Sequence, residues 1–256
     1  METLYLPQFF FGNDFKNVYE PAEDTFILLD ALENDLITLK NNSRVCLECG
    51  SGSGIIITSI AKSFAAASTK TATKNGSNAA NDFRLLLATD INFKACQTTQ
   101  KCATYFGQEH NVQVIQTDLA ECLLDRLEQS VDLLVFNPPY VPTEEDPTSD
   151  FKKSQTSKKK KNQLINLAWA GGKHGRSVID VFLKNYVKKL LSKPNGVAYI
   201  VALEANNIDD LTKCLEGSTE GGDDDAIVGS VALKRRAGSE SLYVLKYQYA
   251  NAKSNK

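Results

Sequence analysis

Apolar residues along this chain gather in short runs, separated by stretches where they recur every three or four positions. Arg44 to Glu48, Arg84 to Asp90, Val112 to Asp118, Val131 to Phe136 and Val197 to Leu203 are short, apolar and bounded by turn residues, and they read as strands. Helical spacing falls between them. It begins at Pro21, with Leu28, Leu32, Leu36 and Leu39 on one face, and resumes at Ile55 to Ala61, Asn92 to Phe106 and Leu119 to Gln129. Pro21 suits a first helical turn, and Glu23 and Asp24 suit the positive end of the helix. Ser177 to Leu191 is a strongly amphipathic helix closed by Pro194-Asn195-Gly196, and a short helix is expected over 207–216. Ala226 to Arg236 and Leu242 to Tyr249 read as strands joined by Ala237-Gly238-Ser239, a hairpin signal. Strands alternating with helices and ending in a hairpin predict an α/β fold. We expect a doubly wound, mostly parallel seven-stranded sheet, Rossmann-like, with an antiparallel C-terminal hairpin.

Two segments break the pattern. Residues 66–82 are rich in Ala, Ser, Thr, Asn and Lys and lack periodicity, and residues 144–161 contain Lys158-Lys159-Lys160-Lys161. Both are expected to be disordered insertions in a single domain over 1–256. The lysine run reads first as a solvated loop, with nuclear import or phosphate contact as the second reading. Residues 1–19 carry Tyr5, Phe9, Phe10, Phe11, Phe15 and Tyr19, and this segment is expected to cross the domain as a strap or to cover a ligand as a lid.

Composition changes this picture little. The 256 residues are 42% hydrophobic and 23% charged, enough for one large α/β core. A net charge of −2 gives no global attraction to nucleic acid or an anionic membrane. No run approaches the ~20 apolar residues of a membrane span, and the first residues do not resemble a secretory signal. Six cysteines without a disulfide framework point to a reducing compartment. The cytoplasm is the expected location, with the nucleus as a second site. Cys46 and Cys49 form a CxxC within or just after a strand. Positions three apart on a strand face opposite ways, so the pair is expected to be structural and not a metal site. Only two histidines, His110 and His174, are present and they lie far apart, which disfavours a histidine-based metal centre or triad.

The chemistry concentrates at strand ends. Glu48-Cys49-Gly50-Ser51-Gly52-Ser53-Gly54 follows the first strand and opens a helix, where Gly50, Gly52 and Gly54 allow a tight turn and close ligand approach. The run is neither GxGxxG nor a Walker A loop, and its leading acid, Glu48, would repel pyrophosphate and attract an ammonium group. Asp90, ending the second strand, suits the two hydroxyls of a ribose. Glu48 and Asp90 lie farther apart than the roughly 20 residues of a compact unit, and removing 66–82 closes most of the gap. Asp118, ending the third strand, is placed to meet an adenine amino group. A ligand with an amino-acid end, a ribose and an adenine is S-adenosylmethionine. The fourth strand ends in Asn137-Pro138-Pro139-Tyr140. Its prolines stop the ladder and hold Asn137 extended. The Asn137 side-chain oxygen and the Pro138 carbonyl can each accept an N–H from a planar acceptor nitrogen and aim it at a methyl group. Tyr140 is expected to pack on that acceptor.

These residues together resemble the HemK-type glutamine methyltransferases of the class I S-adenosylmethionine-dependent fold, in the short eukaryotic and archaeal branch. The resemblance is carried by Tyr19-Glu20-Pro21-Ala22-Glu23-Asp24-Thr25-Phe26, Glu48 to Gly54, Thr89 to Asn92, Thr117-Asp118-Leu119 and Asp132 to Thr143. Ala168 to Gly172 with Gly175-Arg176, and Arg235 to Gly238 with Glu240, make it specific. It implies that Thr25, Glu48, Gly50, Asp90, Asp118 and Leu119 contact the cofactor, and that Asn137 serves both cofactor and acceptor. It also implies N5-methylation of the glutamine in the Gly-Gly-Gln motif of the peptide-chain release factor, within a heterodimer with a small zinc-binding activator. The third strand is expected at the sheet edge, where an activator could add a strand.

Two other classes remain open at this point. An adenine-N6 nucleic-acid methyltransferase, or one acting on a histone lysine, would also present a nitrogen to Asn137, although no DNA-recognition domain is evident and an adenine would have to be flipped out. A catalytically silent binding module is disfavoured by the intact Glu48, Asp90, Asp118 and Asn137.

Overall fold

The computed structural model describes residues 17–71, 83–144, 168–216 and 226–250. Among the described residues seven strands form one sheet in the order β3-β2-β1-β4-β5-β7-β6. They are β1 (Val45–Cys49), β2 (Leu85–Asp90), β3 (Val112–Gln116), β4 (Leu133–Phe136), β5 (Val197–Leu203), β6 (Ile227–Ala237) and β7 (Glu240–Tyr249). The first five are parallel, and β7 turns antiparallel against β5 and β6. The hairpin turns at Gly238-Ser239, with Gly238 at φ 61°. β3 lies at the edge, as the resemblance to the family implied.

Side chains alternate across the sheet and build two cores. On one face Cys46, Leu133, Val135, Tyr199 and Val201 pack with α1 (Glu23–Asn34) and α3 (Ile55–Thr71). On the other, Leu47, Leu134, Phe136, Ala198 and Ile200 pack with the helix over 177–190. Cys46 and Cys49 therefore sit in different cores, as the strand period requires. Burial pushes both thiols up to about 12, so neither is a ready nucleophile or ligand.

Four expectations change. The helix predicted from Pro21 is two helices, α1 and α2 (Leu36–Asn42), broken at Asp35. There the Asp35 carboxylate turns to the sheet and accepts hydrogen bonds from Tyr199 Oη and, at 2.7 Å, Lys246 Nζ. Leu119 to Gln129 is not a helix but a 3-10 turn, Glu121–Leu123, within a series of turns. Positive φ at Leu119 (45°) and Gln129 (49°) breaks the helical path at both ends. Residues 66–71, expected as the start of a disordered insertion, continue the α3 backbone to Thr71, consistent with the helix-favouring Ala65-Ala66-Ala67. The rest of that insertion lies outside the described residues, as do 145–161 of the second and residues 1–16 of the aromatic strap. Finally, the regular β4 ladder starts at Leu133, two residues later than expected. Asp132 still bonds both neighbours through its backbone, its N donating to Val45 O and its O accepting from Val197 N, each at 2.9 Å, while its side chain caps the start of β1. Its carboxylate accepts from Arg44 N (2.8 Å), Val45 N (2.9 Å) and Ser192 Oγ (2.6 Å).

The helix over 177–190 is not uniform. It contains a π turn, Leu183–Val187, between α-helical Ser177–Phe182 and Lys188–Leu190. Such turns insert one extra residue and redirect the side chains around them. Here the π turn carries Tyr186, whose ring stacks 5.7 Å from Phe182. α4 (Phe93–Tyr105) covers β2 and β3, starting at Asn92, whose side chain accepts from Lys94 N at 3.0 Å. The hairpin is tied to α1 by an ion pair between Arg235 and Asp30.

Candidate active site

The strand order reverses at β1, which pairs with β2 on one side and β4 on the other. Open α/β sheets bind ligands at the C-terminal ends of strands beside such a reversal. A cavity of about 650 Å³ opens there. Thr25, Glu48, Gly50, Gly52, Asp90, Asp118, Leu119, Asn137 and Pro139 line it.

The loop after β1 runs close to the sheet. Gly50 sits at φ 64°, and a Cβ there would lie 3.2 Å from the Phe136 ring. Gly52, at φ 51°, donates its N–H to Asp90 Oδ2 at 3.0 Å. Asn92 N donates to Asp90 Oδ1 at 2.8 Å, so Asp90 ties the loop to the start of α4. Burial raises the Asp90 carboxyl, and the N–H groups of Gly52, Asn92 and Ile91 pull the other way. Gly54 does not line the cavity. A Cβ there would come 2.5 Å from Thr99 Cα, so this glycine lets α3 approach α4.

Glu48 is 1% exposed, and its Oε2 accepts Ile57 N at 3.0 Å in the first turn of α3. Burial pushes its carboxyl well above the usual range, with the Ile57 N–H opposing and Asp90 adding to the rise. The expected ammonium-attracting acid is therefore partly committed to holding α3. Asp118 is exposed at the cavity rim, and partial desolvation, followed by the neighbouring Glu121, raises its carboxyl. Glu121 in turn accepts Tyr186 Oη at 2.9 Å, and Tyr186 lines the cavity beside Leu119.

The end of β4 is held from three sides. Val141 and Thr143 bond to the backbone of 169–172, Val141 N to Trp169 O at 3.0 Å and Thr143 N to Gly172 O at 3.0 Å. Asn206, fully buried, donates to Tyr140 O at 2.9 Å and His174 O at 2.8 Å. A Cβ on Gly175 would overlap Tyr140 O, so only glycine fits beneath that carbonyl. These contacts give the Ala168 to Arg176 block a positioning role beside the tetrapeptide.

Tyr140 departs from expectation. Its ring does not line the cavity, and its hydroxyl donates to Asp24 Oδ2 at 2.9 Å. Burial, with the Asp24 carboxylate next, pushes its ionisation far above the ordinary range. Pro138 is buried behind the cavity wall. Asn137 Nδ2 donates to the same Asp24 Oδ2 at 3.1 Å. Because a carboxylate oxygen only accepts, this contact fixes which end of the carboxamide faces Asp24. The other end, Asn137 Oδ1, is buried and has no hydrogen-bond partner among the described residues.

The sequence offered Asp24 as a favourable charge at a helix start and as one member of the Tyr19 to Phe26 block, and in the structure its carboxylate gathers Tyr19, Tyr140 and Asn137. The signal was present in Tyr19, Asp24 and Tyr140, but nothing local showed that all three converge. Asn17, Val18, Tyr19 and Asn92 also line the cavity, with Asn92 Nδ2 donating to Asn17 O at 2.6 Å. Among the described residues no cluster of His, Cys, Asp and Glu could hold a metal ion, and no helix is long and apolar enough to cross a membrane.

The cavity fits S-adenosylmethionine, which is the methyl donor of this fold. Its volume lies within the range of small-molecule sites. It has acids at the ends of β1 and β2 and just beyond β3 for three polar parts of one ligand, and a buried acceptor without a partner at the end of β4.

No family model matches the chain. It is 40% identical over 233 residues to Methyltransferase HEMK2 of Homo sapiens, spanning 91% of this chain and 90% of the relative. It is 32% identical over 252 residues to the eRF1 methyltransferase catalytic subunit mtq2 of Schizosaccharomyces pombe, spanning 93% and 92%. The solved E. cuniculi Mtq2-Trm112 complex includes a chain of the same fold, with a TM-score of 0.56 at 24% identity over 91% of this chain and 99% of that one. With a relative this similar along nearly its whole length and the cavity built as described, the chain belongs to the HemK-type family of protein glutamine methyltransferases.

Proposed function

We propose that this chain N5-methylates the glutamine of the Gly-Gly-Gln motif in the eukaryotic peptide-chain release factor, as the catalytic subunit of a heterodimer. The observation that carries this reading is the buried, unpartnered Asn137 Oδ1 beside the cavity. A primary amide has two N–H groups and a lone pair delocalised into its carbonyl. Asn137 Oδ1 would accept one N–H, fixing the nitrogen and favouring charge development on it. Pro138, which is buried and does not line the cavity, would serve by holding Asn137 extended. Asp90 would hold the ribose hydroxyls, Asp118 with Leu119 and Tyr186 the adenine, and Thr25, Glu48 and Gly50 the amino-acid end. When bound, S-adenosylmethionine supplies an electrophilic methyl group. Names of relatives support the acceptor: the fission-yeast relative is an eRF1 methyltransferase subunit. The test is mass spectrometry of release factor after incubation with the complex. One methyl group on the motif glutamine is expected, and none when that glutamine is changed to asparagine. Methylation that persists on the asparagine-substituted factor would place the acceptor elsewhere.

A small activator subunit, read as zinc-binding, is part of the proposal. Support comes from the solved complex of an Mtq2 chain with Trm112 and from the exposed edge of β3. Thr117 N bonds to Asp90 O on β2. Strand alternation then turns the N–H groups of Val114 and Gln116 outward, free of β2. α4, which packs on β2 and β3, carries exposed Phe93 and Tyr105. Val112 is 5% exposed and belongs to the core, so charge there would probe stability and not the edge. Val114→Pro removes an outward N–H while sparing the β2 pairing. It is expected to leave the isolated subunit folded and to abolish co-purification with the activator. A complex that survives this substitution would rule out strand addition at β3.

A further inference from the structure

Three of the hydrogen bonds at the acceptor end converge on one oxygen. Asp24 is 3% exposed, and its Oδ2 accepts Tyr19 Oη at 2.9 Å, Tyr140 Oη at 2.9 Å and Asn137 Nδ2 at 3.1 Å. Its Oδ1 accepts Thr25 N at 2.7 Å and Thr25 Oγ1 at 3.3 Å. A carboxylate so fully engaged is poorly placed to act as a base toward a substrate proton. A carboxamide, by contrast, can sit either way round in a near-symmetric slot, and its two ends do opposite things to an incoming N–H. The oxygen accepts it, and the NH₂ repels it.

We propose that Asp24 is a positioning residue that locks the orientation of the Asn137 carboxamide, so that the acceptor nitrogen meets an oxygen and not an NH₂ group. This rests on the amide-methylation reading above. Asp24 would act through Asn137 and would not touch the acceptor. Tyr19 and Tyr140 hold the carboxylate in place, and Thr25 N–H fixes its other oxygen from the main chain.

Asp24→Asn tests the lock because it keeps the shape. If its oxygen occupies the Oδ2 position, its NH₂ faces Thr25 N–H, donor against donor, and the main chain cannot turn away. The other orientation satisfies Thr25 N–H and points NH₂ at Asn137. The Asn137 amide then turns over and presents its own NH₂ to the acceptor. In the activator complex with full-length release factor, kcat should fall by roughly 100-fold or more, the scale for losing one aimed polar group. Cofactor affinity measured by calorimetry should change by less than about threefold. The exchanged pair Asp24→Asn with Asn137→Asp restores an oxygen facing the acceptor. It should recover at least about tenfold of the lost kcat, which a merely structural role for Asp24 would not give.

An Asp24→Asn enzyme within about threefold of wild-type kcat would overturn the proposal, and so would an exchanged pair with no recovery. NMR of the Asn137 side-chain amide covers a variant that does not fold, and it needs no acceptor protein. In the wild-type complex its protons should be shifted downfield and protected from exchange, and an amide rotating freely in water would refute the lock. If wild-type enzyme fails to methylate the release factor, the proposed acceptor is wrong, and the NMR result still decides the orientation.

Discussion

Asn137→Ala is expected to remove methyl transfer almost entirely while leaving a folded, cofactor-competent protein. The side chain makes one hydrogen bond, Nδ2 on Asp24 Oδ2 at 3.1 Å, and holds its oxygen buried without a partner among the described residues. A buried acceptor kept unsatisfied costs on the order of 1–3 kcal/mol in the free protein. That cost is offset only when a donor arrives, so the oxygen is set up for a visiting N–H. Truncation removes the cost and the function together, so stability should be nearly unchanged. Deleting a single aimed polar group at a reacting centre typically lowers kcat by about 10²–10³-fold, roughly 3–4 kcal/mol of barrier. We expect that loss in single-turnover assays with release factor, with cofactor affinity reduced less than about tenfold. Full transfer by the alanine variant would remove Asn137 from the mechanism.

Asp90→Ala should have the opposite signature, a collapse of cofactor binding. The two carboxylate oxygens accept Gly52 N at 3.0 Å and Asn92 N at 2.8 Å, so Asp90 sets the shape of the glycine loop before any ligand binds. Each hydrogen bond to a charged acceptor contributes about 1.5–3 kcal/mol, and the two ribose hydroxyls would add two. Calorimetry should therefore register an affinity loss of about 100-fold or more. Burial raises the Asp90 carboxyl, so the accepting form is lost at a higher pH than for an ordinary aspartate as acid is added. Wild-type affinity should accordingly weaken as pH falls, beginning at a higher pH than an ordinary aspartate would set, and the alanine variant should lack this dependence on Asp90. Unchanged affinity in the variant would separate Asp90 from the ribose.

Much of this site is written in the order of residues. A parallel strand exposes its C-terminal end on one side of the sheet. Acids at the ends of successive strands, Glu48 and Asp90, and just beyond the third, Asp118, must therefore come to one edge. The tetrapeptide at the end of β4 must join them, because β4 pairs beside β1. Period and turn chemistry suffice for that, and they also place Cys46 and Cys49 in separate cores. Local pattern misled where backbone angles or distant partners intervened. Leu119 to Gln129 has helical spacing but carries positive φ at both ends, and the helix at Pro21 breaks where Asp35 finds Tyr199 and Lys246.

The chain by itself thus determined the fold class, the acids gathered at one sheet edge and the tetrapeptide beside them, since each depends on residues close in sequence or on strand order alone. Which way Asn137 faces was settled only in three dimensions. That choice depends on Asp24, which lies on another element and whose buried carboxylate gathers Tyr19, Tyr140 and Asn137. The reassignment of Gly54 to helix packing and of Tyr140 to the Asp24 network has the same origin. Contacts between groups far apart in sequence leave no period to read, because geometry brings them together and burial makes each unmet hydrogen bond costly.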